Sequence, residues 1–189
     1  MIPVAKRMRW GRGRSEFLRP VQWLVALLDD KVIPLELFEL TADRYSRGHR
    51  FHAPGDVALA TATDYRQAMT DAWVMADFEQ RRERIEQQVE AIAAQEGAIA
   101  VTGDDLLDEV TGLVEWPVAL KGSFDSAFLR VPAEALISSM REHQKYFHML
   151  DHEGQLRPLF ITVSNIERRD PAVVVAGNEK VIRPRLSDA

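Results

Sequence analysis

Two apolar runs rich in strand-favouring residues come early in the chain. Residues 21–28 and 31–38 are separated only by Asp29 and Asp30, which is the length of a tight hairpin connection. The pattern predicts two antiparallel strands that are joined there. Pro34 has no N–H to donate to a ladder, so we expect the second strand to lie at a sheet edge or to be bulged at this residue.

A third extended segment is predicted over residues 44–51. Alternation along a strand would place Arg47, His49 and Phe51 on one face. Gly48 would permit a bulge or a close approach of two backbones.

The spacing of apolar residues changes at residue 64 to intervals of three, four and seven, which is typical of one face of an α-helix. This spacing predicts a long helix or a helix pair that Gly97 ends. Asp104 or Asp105 is expected to cap a shorter amphipathic helix over residues 106–113.

Strands and helices also alternate irregularly in the last third of the chain. The predicted elements are a strand over 116–121, a helix from Pro132 to about Arg141, a hairpin of 145–150 with 156–166, and a helix from Asp170–Pro171 to about Ile182, before Pro184. Hairpins separated by helices, without regular β-α-β alternation, predict an α+β fold with an antiparallel or mixed sheet.

The same pattern suggests three parts. We expect a basic arm over residues 1–20, an α+β body over 21–166 with a mostly helical, acidic insertion over 64–113, and a C-terminal helix over 167–189. That last helix is expected to lead to a next domain outside the chain.

Composition narrows the class of protein. The chain has 189 residues, of which 46% are apolar and 28% charged, so it can bury a folded core. It has no cysteine, which excludes disulfides, thiolate metal sites and cysteine nucleophiles. No apolar run approaches the ~20 residues that span a bilayer, which argues against a transmembrane helix. At the N-terminus, basic residues follow a very short apolar run, which is the wrong order for a secretory signal. We therefore expect a cytoplasmic protein without a membrane partner.

Charge is segregated along the chain. Residues 1–63 carry ten basic and seven acidic side chains, residues 64–115 carry four and thirteen, and residues 116–189 carry ten and nine. Six cations and Trp10 lie within the first twenty residues, where they could attract phosphate and stack a base, or instead pack on an acidic neighbour.

The segment from Arg44 to His52 concentrates arginines, histidines and aromatics. It could contact an anionic partner through phosphate contacts and stacking. Alternatively, Phe51 belongs to the core and the arginines pair with the acidic helices. Neither His49 with His52 nor His148 with His152 has the carboxylate spacing of a metalloprotease site, so we predict no metal centre.

Two later segments hold further candidates. His143 could act as an acid or base, but no nucleophile with an orienting carboxylate is identifiable near it. Lys180, Arg183 and Arg185 lie on or just after the last predicted helix, where cations also complement its C-terminal dipole.

Five blocks, in order along the whole chain, resemble the β subunit of bacterial glycyl-tRNA synthetase. They are Arg7–Gly11, Arg47–Phe51, Leu113–Leu120, Ser139–Phe147 and Gly177–Ala189. The resemblance covers a middle slice of that family, and His148 stands where members often have proline.

The resemblance implies an α+β fold like the editing-type module of the phenylalanyl-tRNA synthetase β subunit. It also implies a tetramer of two α and two β subunits that acts on glycine tRNA, with ATP and glycine bound by the α subunit and no cofactor bound by this slice. No catalytic residue is transferred to this chain. The residues expected to contact tRNA or another subunit are Arg47, His49, Arg50, His143, Lys145, Lys180, Arg183 and Arg185.

Two other roles stay open at this point. One is a hydrolytic editing module for mischarged tRNA, for which His143 or His49 would be the acid or base. The other is a structural scaffold whose acidic segment 64–115 docks another subunit or domain, since that surface should repel RNA.

Overall fold

A computed structural model describes residues 6–167 and 170–187 of the chain. Residues 1–5 of the predicted basic arm, and Asp188 and Ala189 of the last sequence block, lie outside this described part. The fold is α+β, as predicted, with small antiparallel sheets and five α-helices among the described residues. The chain divides into two compact units, Met1–Val74 and Met75–Ala189. The three-part division expected from sequence stays a prediction.

The first unit consists of short hairpins followed by one helix. Its elements are β1 (Met8–Arg9), β2 (Glu16–Phe17), β3 (Leu27–Leu28), β4 (Lys31–Val32), β5 (Glu36–Leu37), β6 (Leu40–Thr41), β7 (Tyr45–Arg47), β8 (Asp56–Ala58) and α1 (Tyr65–Asp71). Each odd-numbered strand pairs with the strand that follows it. A 3-10 turn over Ala62–Asp64 leads into the helix.

The hairpin predicted at Asp29 and Asp30 is confirmed, because β3 pairs with β4 antiparallel and Asp29 has a φ of 52°. Its strands are shorter than predicted. Ile33 donates its N–H to the Ala26 carbonyl at 2.9 Å, but regular pairing ends before Pro34. Pro34 therefore separates two hairpins instead of lying within one long strand.

The second unit contains a larger sheet. Its elements are α2 (Phe78–Gln95), β9 (Ile99–Ala100), α3 (Asp104–Leu113), β10 (Val118–Ser123), α4 (Ala133–Ser138), β11 (Phe147–Leu150), β12 (Leu156–Ser164) and α5 (Pro171–Ser187). A 3-10 turn over Ser126–Arg130 precedes α4, and a π-helical turn over Ser139–His143 follows it. The strands lie in the order β10-β12-β11-β9, all antiparallel, and the predicted β11–β12 hairpin is confirmed.

Helices cover both faces of this sheet because alternate strand residues point to opposite sides. Phe147 and Ile161, which are cross-strand partners, belong to a buried cluster that α2 and α3 supply with Ile85, Val89 and Leu107. A second buried cluster contains side chains of α4, the π turn, β12, α5 and the residue just before β11: Leu136, Met140, Tyr146, Phe160, Ile182 and Leu186. The unit is thus a three-layer arrangement with one core on each side of the sheet.

The Phe160 ring requires the glycine at its cross-strand partner. A Cβ built on Gly122 would lie 2.3 Å from Phe160 Cζ. The ring stacks on Tyr146 with centroids 4.6 Å apart, and the Tyr146 hydroxyl donates to Asn178 Oδ1 at 2.8 Å. Burial raises the pKa of Tyr146 to about 12.

Three helix predictions need correction. The predicted end of the helical segment at Gly97, which has a φ of 58°, is confirmed, and this segment is a helix pair. The predicted cap of the next helix is wrong, because Asp104 and Asp105 lie in the first turn of α3 and Gly103 is the capping residue. The helix that begins at Ala133 ends at Ser138 and continues to His143 only as a π turn.

The prediction that the last helix ends before Pro184 is wrong. Helix α5 continues through this proline to Ser187. Ile182 and Leu186, four residues apart on one helix face, are both buried in the second core. Burial of these two side chains stabilises the last turn of α5, although Pro184 cannot donate the backbone hydrogen bond that the helix would otherwise form there.

Candidate nucleic-acid interface

The β7–β8 hairpin holds three of the predicted site residues at its end. Tyr45 and Arg47 are exposed on one face of β7, while Ser46 is buried on the other. Arg44 anchors the base of the hairpin, since its guanidinium donates to the carbonyls of Leu59 at 3.2 Å and Asp30 at 3.1 Å. The hairpin therefore presents Tyr45 and Arg47 outward from a fixed backbone.

The strand alternation predicted through residue 51 is wrong because β7 ends at Arg47. A Cβ on Gly48 would lie 2.4 Å from the Ala53 carbonyl oxygen, so the close backbone approach expected at this glycine is confirmed. Beyond Gly48, His49 is fully buried while Phe51 is exposed. In a strand, these two residues would point to the same face because they are two positions apart.

His49 organises the loop that follows. Its Nδ1 accepts the N–H groups of Phe51 and His52, both at 3.2 Å, and its carbonyl accepts the N–H of Ala53 at 2.9 Å. Nδ1 is thus an acceptor, and its hydrogen bonds are local to the turn. Because the His49 side chain is buried and positions the backbone of Phe51, we do not include it among the RNA or subunit contacts proposed below.

Three rings pack in a row behind the loop. His49 and His52 have centroids 4.7 Å apart, and His52 stacks on Trp73 at 4.5 Å. Trp73 has a φ of 62°, a left-handed conformation that costs a bulky residue roughly 1–2 kcal/mol. This strained backbone directs the indole onto His52 and so supports the loop from beneath.

Two exposed arginines each cover an aromatic ring. Arg47 Cζ lies 5.3 Å from the ring centroid of Trp23, which is 43% exposed, and Arg50 Cζ lies 5.8 Å from that of Phe51, which is 63% exposed. Arg47 also pairs with Asp56 at 3.6 Å. We refer to Trp23, Tyr45, Arg47, Arg50 and Phe51 as the Arg–aromatic surface. The alternative that placed Phe51 in the core is wrong.

The described part of the basic arm is folded onto the β5–β6 turn. Glu39 Oε1 accepts the N–H of Arg14 at 2.7 Å and both the N–H and the hydroxyl of Ser15, at 3.3 and 3.2 Å. These bonds, that of Arg14 most of all, lower the pKa of Glu39. The Phe38 ring contacts Trp10 at 6.1 Å, so this tryptophan has an intramolecular neighbour.

The turn that holds the arm is itself strained. Phe38 and Glu39 have φ values of 55° and 63°, as a two-residue hairpin turn of type I′ requires. Asparagine and glycine usually fill such a turn, and each bulkier residue costs of order 1 kcal/mol there. The contacts that Glu39 and Phe38 make with the arm offset this cost.

The other five predicted residues lie in the second unit. His143 is exposed at the end of the π turn, and Lys145, which has a φ of 58°, pairs with Glu109 Oε2 at 2.9 Å. Lys180, Arg183 and Arg185 are exposed on α5. The structure therefore divides the eight residues between the two units and brings no more than three into one segment of the first.

A cleft of about 360 Å³ at the free edge of β10 was not predicted. Arg84 and Gln88 of α2, Pro117, Val118, Glu167 and Val174 are among its lining residues. The Gln88 side chain accepts the Ala119 N–H at 2.6 Å and donates to the Pro117 carbonyl at 3.2 Å, as a neighbouring strand would. Trp116, in one of the sequence blocks, donates to Glu167 and lies under Arg84, whose Cζ is 4.6 Å from its ring.

Part of the acidic charge of the helical segment is compensated within the second unit. Arg82 of α2 pairs with Asp104 at 2.6 Å and with Asp108 at 2.7 Å. The pKa of Arg82 is raised, mainly by its hydrogen bond to Asp108. Glu96 pairs with Lys121 at 2.5 Å. These pairs tie α2 to α3 and to β10.

The described residues hold neither a cluster of metal-ligating side chains nor a helix that could span a membrane. Within residues 6–167 and 170–187, no group of three or more His, Asp or Glu side chains is arranged to hold a metal ion. In the same ranges, no helix combines the length and the apolar character needed to cross a bilayer.

Comparison with known proteins identifies the class to which these features belong. The family described as "Glycyl-tRNA synthetase beta subunit" matches residues 1–189. The chain is 62% identical over 188 residues to a protein of Chromohalobacter salexigens, 54% over 189 residues to one of Hahella chejuensis, and 55% over 188 residues to one of Azotobacter vinelandii. Each is named glycine–tRNA ligase beta subunit.

These alignments cover all of this chain but only 27% of the length of each of those relatives. The matched class is that of an aminoacyl-tRNA synthetase subunit. The chain belongs to the glycyl-tRNA synthetase beta subunit family, as its five sequence blocks indicate.

Proposed function

We propose that this chain is a non-catalytic part of the β subunit of glycine–tRNA ligase and contributes to tRNA binding and to assembly of the tetramer. Its partners are the α subunit, which binds ATP and glycine, a second β subunit, and glycine tRNA. The whole-chain family match supports this role, and the exposed Arg–aromatic surface is the observation that supports tRNA binding by the first unit.

Charge favours the first unit as the one that contacts RNA. Residues 1–74 carry eleven lysines and arginines against nine aspartates and glutamates, whereas residues 75–189 carry thirteen against twenty. A polyanion is attracted to the first and repelled by the second on average. We therefore rank Arg47 and Arg50 first, and the exposed α5 cations Lys180, Arg183 and Arg185 second.

His143 and Lys145 rank below these cations. The Lys145 ammonium lies 2.9 Å from the Glu109 carboxylate and is less exposed than the Arg47 guanidinium, whose pair with Asp56 is longer, at 3.6 Å, so an RNA phosphate would displace the Glu109 pair less readily. His143 is exposed but stands beside Glu142 on the π turn. Both stay proposed as subunit contacts.

The test is aminoacylation of glycine tRNA by a complete tetramer whose β subunit carries the double substitution Arg47→Ala and Arg50→Ala. Loss of two phosphate contacts should raise KM for tRNA, leave kcat nearly unchanged, and reduce the salt dependence of kcat/KM by about two in logarithmic slope. Lys31→Ala, which removes one exposed cation of the same unit, is the control. Unchanged KM and salt slope in the double variant would contradict the proposal.

A scaffold role for the acidic segment is the second candidate, favoured by the exposed glutamates of α2, including Glu79, Glu83 and Glu90. In that case tetramer assembly would fail when these residues are replaced, while tRNA binding would not change. His49 does not fit the role of acid or base in hydrolytic editing, since it uses Nδ1 within its own loop, so that alternative depends on His143. The likeness to the phenylalanyl-tRNA synthetase module stays a proposal about the fold.

A further inference from the structure

We propose that Phe51 and Arg50 form a stacking site for one unpaired nucleobase of RNA, with the base on the Phe51 ring and the adjoining phosphate on Arg50. This inference rests on the proposed function and gives the chemical form of RNA that the Arg–aromatic surface takes. It distinguishes recognition of a single-stranded segment from general attraction to the phosphates of a duplex.

The first observation is that Phe51 is exposed in a loop that is held rigid. The residue keeps 63% of its surface accessible, and its backbone N–H donates to Nδ1 of the buried His49. Gly48 donates its N–H to the Gly55 carbonyl at 3.2 Å, which closes the loop. A phenylalanine held outward by its backbone offers a stacking face without an entropy cost for ordering the loop.

The second observation is the charge beside the ring. Arg50 covers Phe51, and among the described residues no carboxylate lies within 4.0 Å of its guanidinium. Nucleic acid repeats an anionic phosphate and a flat π surface at every residue, which fits a cation next to an exposed ring. A duplex hides the faces of its bases in the stack, so the occupant must have an unpaired base.

The neighbouring Trp23–Arg47 pair resembles this site but is partly neutralised. Arg47 is shared with Asp56 at 3.6 Å, so a phosphate there would compete with a carboxylate. A third pair, Phe78 with Arg81, lies in the second unit. The Arg81 guanidinium donates to the carbonyls of Thr111 and Met75, so it is committed to the fold.

The Phe78 pair supplies a matched control for the experiment. The 189-residue chain is titrated with an octamer of adenosine and with an abasic ribose-phosphate octamer of equal charge. We expect the adenosine octamer to bind about five- to 150-fold more tightly, which corresponds to the roughly 1–3 kcal/mol found for stacking one base on an aromatic side chain. Phe51→Leu should abolish this preference, Phe51→Tyr should keep it, and Phe78→Leu should leave it unchanged.

Arg50→Ala should weaken binding of both octamers and lower the salt slope by about 0.7. Circular dichroism establishes that each variant is folded, and Phe51→Tyr keeps the test valid if Phe51→Leu is unstable. Equal affinity of the wild-type chain for the two octamers would overturn the inference, as would an unchanged preference in folded Phe51→Leu. If glycine tRNA still binds with a salt dependence in that case, the stacking site fails while the proposed function stands.

Discussion

Replacement of Gly122 by alanine tests the packing of the second core. The new Cβ would lie 2.3, 2.7 and 2.9 Å from three carbons of the Phe160 ring, whereas ordinary contacts begin near 3.4 Å. The ring is fully buried and stacked on Tyr146, so it cannot retreat without moving that side chain. We expect a loss of about 1–3 kcal/mol in the free energy of unfolding, as for other overpacked cores.

Hydrogen exchange at the amides of β11 and β12 is the appropriate assay, because it reports the second unit separately from the first. Gly177→Ala is the matched control, since that glycine lies in α5 with no atom within 4 Å of the added Cβ. We expect this control to stabilise by roughly 0.5–1 kcal/mol, the usual gain from glycine to alanine within a helix.

A double-mutant cycle identifies the cause of the loss. Phe160→Leu frees space near Gly122, so the combined variant should be more stable than the sum of the single losses predicts, by about 1 kcal/mol. If Gly122→Ala were neutral, or if the two losses were additive, the contact between this glycine and the ring would not be the constraint described above.

Three further predictions address other parts of the chain. Burial and the Arg141 charge lower the pKa of His148. Just below pH ~6.5 the unfolded chain therefore binds more protons than the folded chain, so the free energy of unfolding should decrease as the pH falls through this range. Urea unfolding should show that His148→Leu removes this part of the pH dependence. Glu39→Ala should speed tryptic cleavage after Arg14, with Glu39→Gln intermediate, because the carboxylate accepts the Arg14 and Ser15 N–H groups that hold the arm. Gln88→Ala should cost about 1–3 kcal/mol in the free energy of unfolding, because the N–H and carbonyl groups that it serves at the β10 edge lose their partner. Equal pH profiles, an unchanged cleavage rate, or unchanged unfolding would count against the respective argument.

The sequence predicted hairpins and amphipathic helices where a local signal exists. The two-residue connection at Asp29 and the apolar runs of β11 and β12 each specify their own pairing, and both hairpins are found. Where long-range burial decides, local signals fail. Helix α5 passes Pro184 because Leu186 is buried against the second core, which a local rule for proline cannot anticipate.

The candidate site was predicted only in part for a similar reason. The residue types of the Arg44–His52 segment indicated an anionic partner, and Arg47 and Arg50 are exposed. The sequence did not show that β7 ends at Arg47, because that depends on the close approach of Gly48 to the Ala53 carbonyl. Hence the burial of His49 was not predicted, and the exposure of Phe51 stayed open between two alternatives until the structure decided it.

Strained turns were also invisible to sequence analysis. Phe38 and Glu39 occupy a turn that normally needs asparagine and glycine, and their long-range contacts with the arm stabilise it. Trp73 has a left-handed conformation, and its indole stacks on His52, which is 21 residues away in the sequence. Both features depend on residues distant in sequence from the turn itself.

Binding of glycine tRNA to this chain at two salt concentrations, with an unrelated tRNA for comparison, tests the central claim most directly. We expect binding that weakens steeply as salt rises, that prefers glycine tRNA, and that loses part of its salt slope in the double variant Arg47→Ala, Arg50→Ala. Absence of binding at low salt, or binding that the double substitution leaves unchanged, would contradict an RNA-facing role for this surface.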